Sequence, residues 1–115
     1  MQIGIVMLGV EDVAASVAFY RDRLGLGVKG QTDGFAFLDG GPVTLCLSSP
    51  LARASTQIPG ATEIVFPVES VRSAFQALQD KGVAFSNEPR NVTGPNWAAN
   101  FTDLDGHKLS IFGPE

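Results

Sequence analysis

The sequence predicts an α+β fold made of two copies of one βαβββ unit, and three observations carry that reading. Val10-Glu11-Asp12-Val13 nearly recurs as Val68-Glu69-Ser70-Val71, a shift of 58 from position 10 to position 68. Each copy closes an apolar run of strand length and opens a run with helical spacing. Each is then followed by short apolar runs separated by turn residues. The same shift lays Gly9 on Pro67, Val17 on Phe75, Tyr20 on Leu78 and Asp22 on Asp80, matches of class more than of identity.

In chain order, residues 3–10 carry apolar side chains on both parities, as a strand covered on both faces does. Asp12 is placed to accept from the free amides of a helix start. Val13, Val17, Tyr20 and Leu24 then follow at steps of four, three and four, one apolar stripe. Gly25 stops that helix, predicted over residues 12–24, and Leu26-Gly27-Val28 begins an extended stretch. Residues 30–34 are turn-rich. Residues 35–38 and 43–47 read as strands around the turn Asp39-Gly40-Gly41-Pro42, a hairpin. Residues 48–60, with Pro50, Pro59 and Gly60, have the composition of a linker.

The second copy repeats the order. Residues 62–68 form its first strand, and Ser70 caps a helix whose stripe is Val71, Ala74, Phe75 and Leu78 before the stop at Gly82. Val83-Ala84-Phe85 is the next short strand. After a loop through Pro89 and Gly94-Pro95, residues 97–102 and 108–112 form a hairpin around Asp103-Leu104-Asp105-Gly106.

Size and charge bound what this can be. At 115 residues the chain is expected to be one domain, its units at about 1–49 and 61–115 sharing a core. Hydrophobic residues at 44% and charged residues at 17% describe a globular chain, and no apolar run reaches membrane-spanning length. Residues 3–10 lack the basic start and the length of a signal peptide, so a cytoplasmic location is expected. A net charge of −4 without a basic stripe argues against nucleic acid. It keeps the chain soluble, and it favours a cationic ligand over an anionic one. The single cysteine, Cys46, makes no internal disulfide and no zinc motif.

The run from Val10 to Tyr20, followed by Leu24-Gly25-Leu26, resembles the first-copy signature of the vicinal oxygen chelate superfamily, which includes glyoxalase I, bleomycin-resistance proteins, fosfomycin-resistance enzymes and extradiol dioxygenases. Asp103-Leu104-Asp105-Gly106-His107 resembles that family's closing turn, with Leu104 where proline is common. The resemblance covers essentially the whole chain. It implies sheets curled into a cup, a ligand inside and helices outside. It also implies a two-fold homodimer, sometimes with units exchanged.

In metal-dependent members of the family, four strand positions supply His and Glu ligands to a divalent ion. Carried over by counting from the two motifs, those positions here are Ile5, Cys46, Glu63 and Ser110. Ile5 offers no lone pair and Ser110 is a weak neutral donor, so no metal site and no cofactor are expected. His107 sits in the closing turn, where a polar turn residue is the simpler reading. Glu63 has two readings: a carboxylate inside an apolar cup, fit to act as a general base or to meet a cation, or a strand-edge glutamate facing water or neutralised by an arginine. Cys46 has no histidine partner to make it a nucleophile. Phe35, Phe37, Trp97 and Phe101 fall on the hairpins where metal-free members place stacking residues, the alternative being core packing.

The expected function is a metal-independent small-molecule binding protein resembling the bleomycin-resistance branch. Its ligand would be amphipathic or aromatic, with Ile5, Phe37, Cys46, Glu63, Trp97, Phe101 and Ser110 as binding residues. The alternatives are a lyase, isomerase or dioxygenase with Glu63 as its catalytic group or with a metal, and an interaction domain with a vestigial cup.

Overall fold

The computed structural model describes residues 1–54 and 62–115. The chain divides into two compact units, Met1–Pro59 and Gly60–Glu115. Each unit holds one open, mixed, four-stranded sheet, neither closed into a barrel.

In the first unit β1 (Ile5–Gly9) runs parallel to β4 (Thr44–Ser48). The strand order β1-β4-β3-β2 is completed by β3 (Phe35–Asp39) and β2 (Val28–Gln31). The connection from β1 is α1 (Val13–Ala18), and its start follows from Asp12, whose Oδ1 accepts the Ala15 N–H at 3.0 Å. The predicted single helix is two elements, because α1 passes into a π-helical turn, α2 (Phe19–Arg23). The wider turn carries two adjacent rings inward, and Phe19 and Tyr20 are buried edge to face at 5.3 Å. Val13, Val17 and Tyr20 of the predicted stripe are buried with Ala36, Leu38, Leu45 and Leu47 of the sheet. Fully burying one such aliphatic side chain stabilises by about 1.5–3 kcal/mol, so this layer forms the unit's core.

The stretch read as a linker holds a helix, α3 (Ser49–Ala54). Pro50 contributes to the linker composition, yet proline fits the first turn of a helix because its missing N–H has no partner there. This helix packs closely on β1: a Cβ on Gly9 would stand 2.9 Å from the Ala52 backbone, so only glycine leaves room. The rest of the expected linker, residues 55–60, lies outside the described residues. Gly30 and Gln31, expected in a turn, belong to β2.

The second unit repeats the order β5-β8-β7-β6. It comprises β5 (Glu63–Pro67), α4 (Val71–Asp80), β6 (Arg90–Thr93), β7 (Asn96–Thr102) and β8 (Lys108–Pro114), with β5 parallel to β8. Ser70 caps α4 by accepting the Ser73 N–H at 3.2 Å, the counterpart of Asp12. The expected strand at residues 83–85 reduces to one bridge between Phe85 and Phe101, and the third strand is β6, where a loop was predicted. All four residues of β6 are exposed, so no buried face marks it in the sequence. Gly113 has φ 154°, and a Cβ there would fall on the Val68 carbonyl oxygen. The backbone amide of Val68 in turn donates to Phe112 at 3.0 Å, which fixes the chain crossing at the end of β8.

Candidate functional site

Strand alternation assigns every site residue to a face. In the first unit Ala36, Leu38, Leu45 and Leu47 turn toward α1. The opposite face carries Ile5 and Met7 on β1, Cys46 on β4, and Phe35 and Phe37 on β3, and the register sets Met7 and Phe37 on either side of Cys46. Ile5 is 54% exposed and Phe37 36%, while Cys46 is fully buried. The two phenylalanine rings stack, nearly parallel at 16° with centroids 6.5 Å apart. Because Ala52 meets Gly9, α3 lies against one end of this apolar face.

Burial pushes the Cys46 thiol above its ordinary pKa, and its nearest polar partner is the Leu47 carbonyl, 3.8 Å from Sγ. A neutral, buried thiol is a poor nucleophile and a poor metal ligand.

In the second unit the face away from α4 carries the other two expected positions. Ser110, 2% exposed, donates its hydroxyl to Glu63 Oε2 at 2.8 Å. Glu63 itself is exposed at the sheet edge, so the carboxylate meets water as well as the serine. Opposite Ser110 in the β7–β8 register stands Asn100, whose Oδ1 accepts from Arg90 Nη2 at 3.2 Å. Asn100 and Arg90 extend the site beyond the residues predicted from sequence. Asn100 was findable as the cross-strand partner of Ser110, whereas Arg90 was hidden by the missed strand.

Trp97 and Phe101 occupy the other face. Phe101 is 1% exposed and packs at a tilt against Phe85, ring centroids 5.0 Å apart, and Phe85 packs likewise against Phe75 of α4 at 4.6 Å. The Arg72 guanidinium of α4 sits 5.3 Å from the centroid of the Trp97 ring. Both side chains therefore pack toward α4, away from Glu63 and Ser110. Of the two readings of Phe101, ligand wall or core packing, its place in the second unit matches core packing.

The donor set at the four family metal positions does not suit a divalent ion. One is an isoleucine, one a buried thiol with a raised pKa, and the serine hydroxyl is committed to the only carboxylate. Among the described residues no group of three or more His, Cys, Asp or Glu is placed to hold a metal. His107 acts within its turn: its Nδ1 lies 2.6 Å from Asp103 Oδ2, while Asp103 Oδ1 accepts the backbone N–H groups of Asp105 and His107 at 3.0 and 2.8 Å. The Asp103 side chain is 2% exposed, so the carboxylate organises the closing turn from inside.

Comparison with known proteins places these features in a wider set. Residues 2–111 match the family described as Glyoxalase/Bleomycin resistance protein/Dioxygenase superfamily. Glutathione transferase FosA of Serratia marcescens is 31% identical over 108 residues, covering 90% of this chain and 74% of that protein. Among solved structures, lactoylglutathione lyase from Agrobacterium tumefaciens superposes with a TM-score of 0.79 at 17% identity, covering 96% of this chain and 92% of that one. TnmS3, an antibiotic binding protein from Streptomyces sp. CB03234, gives 0.81 at 22% identity, covering 100% and 97%.

Proposed function

The chain belongs to the glyoxalase/bleomycin resistance protein/dioxygenase superfamily, and we propose that within it the chain is a metal-independent binding protein for an amphipathic or aromatic small molecule. The observation that carries this reading is the Ser110–Glu63 hydrogen bond of 2.8 Å: the two family metal positions of the second unit satisfy each other, and the first unit offers Ile5 and a protonated Cys46. Metal-assisted chemistry in this class needs about three His or carboxylate donors with open positions for substrate. The fold is shared with a lyase and with an antibiotic binding protein alike, so fold does not choose between catalysis and sequestration. The residues do. Within the first unit Ile5, Met7, Phe35 and Phe37 offer apolar contact, and within the second unit the Glu63–Ser110 pair offers directed hydrogen bonding.

The proposal includes a homodimer of single-domain chains working in the cytoplasm, with no nucleic-acid or membrane partner. The acidic balance supports the absence of a nucleic-acid partner, and among the described residues no helix is long and apolar enough to cross a membrane. The alternative is a lyase, isomerase or dioxygenase of the same superfamily; the likeness to the glutathione transferase FosA supports an enzymatic reading without favouring one of these reactions.

Elemental mass spectrometry of untagged protein, followed by calorimetric titration with manganese, nickel, zinc and iron(II), tests the proposal. No bound metal and no binding heat are expected. Near-stoichiometric metal, or micromolar binding lost in Glu63→Gln, overturns the metal-free reading in favour of the enzyme.

A further inference from the structure

On the face away from α4, the second unit carries one polar row across its whole sheet. Ser110 on β8 and Asn100 on β7 face each other in register at its centre, and Glu63 on β5, level with Lys108, and Arg90 on β6, level with Ala98, reach them diagonally from the two edge strands. Ser110 bonds the carboxylate at 2.8 Å and Asn100 bonds the guanidinium at 3.2 Å, while the two neutral residues face each other in register. Among the described residues no ion pair joins Glu63 to Arg90, nor to Lys108, its register partner on β8. Neighbouring strands lie about 4.8 Å apart, so the β5 and β6 backbones stand about 14 Å apart, and with both side chains reaching inward to the central pair their charged ends are separated by roughly 8–12 Å on one surface. That gap is too wide for them to neutralise each other directly and narrow enough for one small molecule to touch both. Val65, 48% exposed, and Phe112 lie on the same face and offer an apolar bed beside the row.

We propose that this row binds a zwitterionic amphiphile whose ammonium meets Glu63 and whose carboxylate meets Arg90, its charges several bonds apart on an apolar spacer. The inference rests on the small-molecule-binding reading above and names the ligand chemistry that reading leaves open. Ser110 and Asn100 hold the two charged side chains along the row, which reduces the ordering cost of binding. An α-amino acid is too short to reach both ends, whereas an ω-amino acid or a benzylic amino acid spans them.

Calorimetry on the full chain decides it, with para-aminomethylbenzoate as the zwitterion. The controls are para-methylbenzylamine, para-methylbenzoate and the neutral para-methylbenzyl alcohol. The zwitterion is expected to bind about tenfold tighter than either singly charged analogue, the size of one charge-assisted hydrogen bond. Glu63→Gln should bring the zwitterion down to the affinity of para-methylbenzoate and leave that control unchanged. Arg90→Gln should bring it down to the affinity of the amine. Equal affinities of the zwitterion and the singly charged ligands, or variants that leave its advantage intact, overturn the proposal. If the neutral alcohol binds as tightly as the zwitterion, the binding-protein reading stands and only the zwitterion proposal falls. If none of the four binds, the zwitterion proposal falls, while the binding-protein reading is decided by the metal titration above.

Discussion

The hydroxyl of Ser110, buried in the middle of β8, is tied at 2.8 Å to the carboxylate of Glu63, exposed on the edge strand β5. The residue with chemical potential is thus held by one that solvent barely reaches. Replacing Ser110 by Ala removes the donor and leaves Glu63 in water, so no buried group is orphaned. The expected loss of stability is about 0.5–1.5 kcal/mol, read as a lower urea midpoint with an unchanged slope. Ligand affinity should fall more than stability does, because the carboxylate gains rotational freedom that binding must then remove.

Cys46 makes the chain sensitive to alkali. Its folded pKa is raised above the ordinary 9.0 by loss of hydration. A group whose folded pKa is raised contributes stability that is fully present below the unfolded value and is lost as pH rises through the folded one. Stability should therefore be flat with respect to this thiol below pH 9.0 and decline above it. Cys46→Ala should flatten that decline, as measured by urea melts at stepped pH. In the native wild type a thiol reagent at neutral pH should react at the rate of unfolding rather than at that of a free thiol. Rapid native-state labelling would show that the thiol is accessible.

The two helix starts are equivalent in the repeat but not in their connections. Asp12→Ala removes one cap and should cost about 1 kcal/mol. Ser70→Ala removes the matching cap and also the bond from Ser70 Oγ to the Glu115 carbonyl at 2.9 Å, so it should cost more. Chemical denaturation of the pair tests the order. A larger loss for Asp12→Ala would contradict the contribution assigned to Glu115.

Gly113 and Gly4 form a matched test of backbone demand. Gly113 has φ 154° with the Val68 carbonyl where a Cβ would stand, whereas a Cβ on Gly4 would meet nothing within 4 Å. Gly113→Ala should destabilise by more than about 2 kcal/mol or abolish folding, and Gly4→Ala should be within about 0.5 kcal/mol of wild type. Comparable melting temperatures for the two variants would refute the crossing described at the end of β8.

How far the sequence could be read depends on which signals have a period. The shift of 58 placed Asp12 and Ser70 at helix starts, and both cap there, because capping chemistry is local. Strand β6 was missed because Arg90-Asn91-Val92-Thr93 buries nothing, and hydrophobic pattern is silent on an exposed edge. Helix α3 was missed because composition reads Pro50 and its small polar neighbours as linker, whereas proline is accommodated in a helix's first turn. The candidate residues of the second unit divide by parity. Asn100 faces Ser110, so Phe101 must face the other way, and a one-residue choice moves an aromatic from a ligand wall to the core. Glu63 and Ser110 were selected from sequence by family position. Their mutual bond required the register of β5 against β8.

Trp97 illustrates the consequence for experiment. Its ring packs under the Arg72 guanidinium at 5.3 Å, and Arg72 Nε in turn reaches Glu115 Oε2 at 2.7 Å. The indole therefore reports on the clamp between α4 and the residues after β8, on the face opposite Glu63. Ligand added to the Glu63 face should leave Trp97 emission nearly unchanged while calorimetry records binding. Arg72→Ala should shift the emission to the red by uncovering the ring. The ion pair is about half exposed and is therefore worth little by itself. The larger part of the expected loss, about 0.5–1 kcal/mol, comes from the cation–ring contact. Arg72→Lys separates the two effects, since a lysine keeps the charge for Glu115 but covers the indole less well than a planar guanidinium. An emission spectrum restored by lysine would indicate that charge alone sets the environment of Trp97. An emission spectrum that stays red with stability regained would assign the ring's cover to guanidinium stacking.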